Sequence, residues 1–293
     1  MSDSTKSTVR LLITCPDRPG IVAAVSGFLH SHGVNIIHSD QHSTDPEGGH
    51  FFMRNEFYLP GMDMDGLEDL REQFQADVAG NFDMDWTMNP VWRKKKVAIL
   101  VSKVDHALME LLWRWRTGSL EADITMVISN HPDLRKSVEF FGVPFHHVPV
   151  GRSLREKVAA EDAILAHLDG QADVVVLARY MQILTGDFVT RYPNRIINIH
   201  HSFLPAFIGA DPYRRAHERG VKLIGATAHY VTEDLDQGPI IEQDVNRVTH
   251  SHTVEDLKRL GADIERHVLA RAVQWHVQDR VIVDGNKTIV FRR

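Results

Sequence analysis

The sequence predicts an α/β protein of two units: a small α+β domain of βαββαβ order, then a larger α/β domain with a mostly parallel sheet. Three observations lead there. The chain has 293 residues, long enough for two domains. Over residues 8–88, short alternating strands bracket two amphipathic helical patterns. After a linker at 89–95, near-continuous apolar strands alternate with helical segments through 96–293, which marks a parallel sheet covered on both faces.

In the first unit, Val9–Thr14 reads as a strand and Cys15-Pro16-Asp17-Arg18-Pro19-Gly20 as the turn that launches a helix. Ile21, Val25, Phe28 and Leu29 fall on one face of that helix, and Gly33 ends it. Val34–Ser43 and His50–Leu59 are strands joined by the turn Asp45–Gly49. Leu67, Leu70, Phe74 and Val78 mark a second helix, and Phe82–Met88 a last strand. The order is that of a ferredoxin-like unit.

Pro16-Asp17-Arg18-Pro19-Gly20-Ile21-Val22, followed by Gly33-Val34-Asn35-Ile36, resembles an ACT domain, a module that often senses amino acids. The resemblance implies an effector held by Asp17 and Asn35, and pairing of modules into a homo-oligomer. Free amides at a helix start attract a carboxylate, and Asp17 suits an ammonium. The alternative is structural: Asp17 caps the helix and Asn35 closes a turn.

Asn89–Lys96 ends in four basic residues and reads as a solvated boundary. Beyond it come strands at Val97–Val101, Ile124–Ile128, Phe145–Val150, Asp173–Leu177 and Arg195–His200. Helical patterns cover His106–Arg116, Pro132–Phe141 and Leu154–Leu168. A strand through Ala228–Val231 enters an acidic turn, followed by a strand at Ile240–Val248, a long helix at Val254–Gln278, and a terminal pair at Val281–Asp284 and Thr288–Phe291. Ligands on such sheets gather at the carboxyl ends of the strands.

Composition narrows the function. A formal charge of -6 gives no support to a general nucleic-acid surface. No apolar run reaches the length of a membrane span, and Met1–Thr8 lacks the apolar core of a signal peptide, so a cytoplasmic location is expected. Cys15 is the one cysteine, which excludes an internal disulfide and a thiolate zinc site. The 18 histidines are scattered, and the adjacent pairs His146-His147 and His200-His201 lack the i, i+4 helical spacing with an acid that marks a zincin helix, so no metal is expected. The turn after the first strand of the second unit, Ser102-Lys103-Val104-Asp105-His106, lacks the glycines of a dinucleotide site. No G-x-S-x-G elbow is present for a serine hydrolase.

What remains is Asn198-Ile199-His200 at the end of an apolar strand, with Asp236 at the acidic turn. Residues two apart in a strand share a face, so Asn198 and His200 aim one way. A carboxamide can donate to an oxyanion, an imidazole can pass protons near neutral pH, and a carboxylate can orient the imidazole. This chemistry suits acyl transfer from an amide-like donor without a covalent intermediate.

Asn198–Pro205, Gly225-Ala226-Thr227-Ala228-His229-Tyr230-Val231 and Leu235-Asp236-Gln237-Gly238-Pro239-Ile240-Ile241 together resemble the folate-dependent formyltransferase superfamily over about residues 96–284. The resemblance places that superfamily's catalytic trio on Asn198, His200 and Asp236. It places the pterin pocket on Arg179, Tyr180, Met181, Gln182, Ile183 and Leu184, with a second wall including Val231 and Leu235 and with His229 in support. Members that formylate a phosphorylated amine carry a glycine-rich, phosphate-cradling turn, which Lys103, Val104 and Asp105 replace here. With an ACT-like front and His201 where those transferases have proline, the resemblance implies water as acceptor. The expected reaction is hydrolysis of 10-formyltetrahydrofolate to tetrahydrofolate and formate, which in bacteria supplies purine synthesis; the folate is the substrate and no cofactor is expected. Which of Asp236 and His200 is the base is left open, as are two rival readings: transfer to an amine, and a binding regulator without turnover. One departure stands at Asp211 and Arg214, where relatives commonly have Arg or Asn, then His.

Overall fold

A computed structural model describes residues 7–205 and 211–292. It contains two compact units, one running to Lys94 and joined by Asp279–Ile282 and the residues from Ile289, the other comprising Lys95–Gln278 and Val283–Thr288.

The first unit has the order β1 (Thr8–Pro16), α1 (Ile21–Ser31), β2 (Asn35–Ser43), β3 (His50–Tyr58), α2 (Met64–Asp77) and β4 (Asp85–Pro90). Its antiparallel sheet runs β2-β3-β1-β4. Val9, Leu11 and Ile13 of β1 alternate onto the face covered by Ile21, Val25, Phe28 and Leu29 of α1 and Leu67, Leu70 and Phe74 of α2. The last strand starts later than the sequence pattern suggests. A 3-10 turn takes Ala79–Phe82, and Asp83 then adopts a left-handed φ of 52° before the strand begins. The opposite sheet face is also buried. Phe52 packs there with Ile282 and Phe291, and Arg54 donates from Nε to the Asp279 carbonyl at 2.8 Å.

The second unit opens with β5 (Lys95–Val101), α3 (His106–Arg116), β6 (Ala122–Ser129), α4 (Arg135–Phe140), β7 (Phe145–His147), α5 (Leu154–Leu168) and β8 (Val174–Leu177). It continues with α6 (Gly186–Thr190), β9 (Ile196–His200), α7 (Pro212–Arg219), β10 (Leu223–Tyr230), β11 (Ile240–Arg247) and α8 (Val254–Val277). The sheet order is β11-β10-β9-β8-β5-β6-β7. Strands β9, β8, β5, β6 and β7 are parallel, while β10 runs antiparallel to both β9 and β11. The chain therefore starts mid-sheet, winds out to β7 and returns to β8. This reversal leaves a crevice at the carboxyl ends of β5 and β8.

The two faces of the sheet can be told apart by alternation. Ala98, Leu100, Val175, Leu177 and Ile196 pack beneath Ile164 and Leu168 of α5 and Phe188 of α6. Helix α8, started by a Thr253–Asp256 capping box, lies against β9, β10 and β11 and against α3 and α7. Among the described residues, no helix is long and apolar enough to cross a membrane.

Candidate active site

Strand β9 brings Asn198 and His200 to the carboxyl edge of the sheet. Counting in twos from Ile196, both point to the side of α5 and α6, while Ile197, Ile199 and His201 point to the side of α8. Strand β10 runs back beside β9 with Asn198 opposite His229 and His200 opposite Thr227. A bulge in the β10–β11 pairing falls between Ala228 and His229, and such irregularities re-aim side chains.

The turn between β10 and β11 holds Asp236 in a left-handed conformation, φ 57°. Two residues later Gly238 lies so close to the strand that an added Cβ would meet the Tyr230 carbonyl oxygen at 1.8 Å. Only glycine fits there. The Tyr230 amide donates to the Pro239 carbonyl at 2.9 Å, closing the turn. Asp236 is thereby fixed against the two histidines. Its Oδ2 is 3.2 Å from His200 Nδ1, and its Oδ1 is 3.7 Å from His229 Nε2.

These contacts set the protons. His229 Nδ1 faces the Tyr230 carbonyl at 2.9 Å and must donate to it. Burial holds the His229 imidazole below its usual range, so Nε2 keeps its lone pair. Nε2 then accepts from Asn198 Nδ2 at 3.2 Å, which turns the amide nitrogen of Asn198 inward and leaves its second N–H free to donate. The hydrogen bond from His200 holds the Asp236 carboxyl below its usual range, against the opposing effect of burial. His200 Nδ1–H is thus directed to a carboxylate, and His200 Nε2, buried without a hydrogen-bond partner among the described residues, is the group left for a ligand.

The residues expected to line a pterin pocket divide in two. Tyr180 is buried, while Leu184 and Val231 pack at the edge of the α5–α6 core. Met181, Ile183 and Leu235 are 56%, 59% and 54% exposed, an apolar rim suited to covering a flat ring. The loop is pinned at both ends. The Met181 amide donates to Ser102 Oγ at 3.0 Å, and the Thr185 amide donates to Glu161 Oε1 at 3.1 Å. Gln182 is half-buried within it. Arg179 also has a left-handed φ, 63°, and its Nε stands 3.5 Å from Glu265 Oε2 on α8.

Sequence reasoning missed this Glu265 neighbourhood. His106, at the start of α3, approaches Glu265 Oε2 at 2.9 Å through Nε2. Tyr213 of α7 donates to Oε1 at 2.6 Å. Burial would raise the Glu265 carboxyl, but the His106 hydrogen bond and the Arg179 charge hold it below its usual range. The His201 ring stacks on His200 with centroids 5.1 Å apart, and burial, with Arg179 adding to it, pushes its pKa down to about 4. No short motif flags such a set.

Four imidazoles, His146, His201, His229 and His276, are shifted downward chiefly by desolvation. The unfolded chain therefore takes up protons near 6.5 before the folded chain does. Their contribution to stability should be complete above that pH and be lost as pH drops from 6.5 toward 4. Asp236 and Glu265 add a loss of the same sign at lower pH, as pH falls below their ordinary values of 3.8 and 4.5. Urea midpoints measured across this window check it; a midpoint that rose on acidification would contradict the assignment.

In the first unit, Asp17 accepts from the Ser43 hydroxyl, and its amide donates to the Gly49 carbonyl at 2.8 Å. The N-cap of α1 is Gly20, with no side-chain cap. Asn35 opens β2 with an exposed side chain. Asp211 and Arg214, both exposed, pair with each other at 2.9 Å across the start of α7.

Comparison with known proteins agrees with both units. Residues 95–273 match the formyl transferase family, and residues 9–57 match the ACT domain. A formyltetrahydrofolate deformylase of Bacillus subtilis is 57% identical, over 99% of this chain and 95% of its own. The enzyme of that name from Mycobacterium tuberculosis is 59% identical over 96% of this chain and 90% of its own. A crystal structure of a formyltetrahydrofolate deformylase from Pseudomonas syringae superposes with a TM-score of 0.91 at 50% identity, covering 97% of this chain and 94% of that one. A glycinamide ribonucleotide transformylase from Symbiobacterium toebii gives 0.64 at 31% identity, over 68% of this chain and 95% of its own. With both family matches in this order along the chain, and with relatives of 57% and 59% identity over nearly its whole length, the chain belongs to the formyltetrahydrofolate deformylase family.

Proposed function

We propose that the chain hydrolyses 10-formyltetrahydrofolate to tetrahydrofolate and formate, and that Asn198, His200 and Asp236 carry the reaction. The observation that supports it most is the contact chain Asn198–His229–Asp236–His200, which leaves one amide N–H and one imidazole nitrogen without partners among the described residues. Water attacks the formyl carbon, and charge develops on the formyl oxygen, where the Asn198 N–H stabilises it. The His200–Asp236 pair takes the proton from the water. As the C–N bond breaks, that proton passes to the leaving nitrogen. The pterin lies in the loop Tyr180–Leu184, its edge toward Val231 and Leu235, with the apolar rim covering the ring.

The same reading makes the enzyme a cytoplasmic source of formate for purine synthesis and the ACT domain a homo-oligomeric sensor with an amino-acid effector near Asp17 and Asn35. Purified protein, given 10-formyltetrahydrofolate alone and followed by absorbance with formate measured in parallel, should release one formate per folate. Release only when an amine is added would favour transfer. Tight binding without turnover would favour a regulator.

A further inference from the structure

The donor is proposed to lie on one side of His200, so any other acceptor must reach the formyl carbon from the opposite side. That side, toward α8, is lined by the protein itself. Four separate segments supply the lining: His106 from the start of α3, Arg179 from just past β8, Tyr213 from α7 and Glu265 from α8. His201 closes the set, its ring 5.1 Å from that of His200 and 6.2 Å from that of Tyr213.

The arrangement is built into the helix. Gly261 lies one turn before Glu265, and an added Cβ there would meet the Tyr213 hydroxyl oxygen at 2.0 Å. A glycine inside a helix is unfavourable relative to alanine, and here its bare backbone makes room for Tyr213 to reach Glu265. Arg179 adds a chemical filter. Its Nε and Nη1 are buried and make no hydrogen bond among the described residues. Water is small enough to accept from such donors in a narrow space, whereas a primary amine brings a substituent that the surrounding side chains exclude, and its protonated form is repelled by the guanidinium.

We propose that the Arg179–Glu265–His106–Tyr213 network is the specificity element of the reaction: it closes the acceptor side of His200 to amines and leaves it open to water. The inference rests on the hydrolysis proposed above. Opening the network should let a primary amine compete. The amine nitrogen would attack the formyl carbon, the bond to the folate nitrogen would break, and a proton would pass from the amine to that nitrogen, giving tetrahydrofolate and a formyl-amide.

The test compares wild type with Arg179→Gly, whose backbone suits the left-handed φ, and with His106→Ala. Each is given 10-formyltetrahydrofolate with glycinamide or hydroxylamine, and both formate and formyl-amide are measured. Wild type should give formate, and each variant should raise the formyl-amide to formate ratio about ten-fold or more. Tyr213→Phe removes only the hydroxyl and gives the same reading should a larger change prevent folding. A wild-type ratio in folded, active variants overturns the proposal. So does loss of both products from a variant that still binds the folate, because the network would then belong to the chemistry rather than to its boundary. Wild type that leaves the folate intact in water would instead sink the hydrolysis reading.

Discussion

Asp236→Asn is expected to lower turnover of 10-formyltetrahydrofolate by about 10²–10⁴-fold, the usual range for a lost acid–base group, with folate binding nearly unchanged. Asparagine is among the residues that tolerate the left-handed backbone of this position, so the turn should hold. The amide can still accept from His200 Nδ1, but it carries no charge to favour the imidazolium as the water gives up its proton. Steady-state kinetics with a separate fluorescence titration of the folate check both halves. The loss should appear in kcat, with KM little moved. Retained turnover would remove Asp236 from the mechanism.

Asn198→Ala is the second large effect. It removes the donor aimed at the developing oxyanion, which costs about 10²–10³-fold in kcat at comparable sites. It also strips His229 Nε2 of its hydrogen bond within a site where His229 is only 2% exposed. That should lower stability by about 1–3 kcal/mol, the cost of an orphaned buried acceptor. Thermal melts and kcat on the same preparation separate the two consequences. A variant that melts early but turns over at the wild-type rate would make Asn198 a packing residue only.

The legibility of this chain in its sequence follows the range of the interactions. Apolar periodicity gave away α1, α2 and the strands from β5 to β9, because each element's buried face is written in its own residues. Asn198 and His200 were readable as a pair for the same reason, being two apart on one strand. The short helices α6 and α7 left too little pattern to see. Arg54 on β3 reads as a surface charge, yet it is 0% exposed, because Asp279, 225 positions away, folds over it. Glu265 reads as one more charge on a long helix, and the partner that buries it, His106, is 159 positions distant. The contact between His229 and Asn198 depends on β10 running antiparallel to β9 in one register. No local pattern encodes that register.

The central claim is that Asn198 and the His200–Asp236 pair act together on one formyl group, and a double-mutant cycle tests it most directly. kcat/KM for 10-formyltetrahydrofolate would be measured for wild type, Asn198→Ala, Asp236→Asn and the double variant. Side chains serving a single transition state should give a double variant barely worse than the poorer single one. Losses that simply multiply would mean that the two residues act independently, and the site as described here would be wrong.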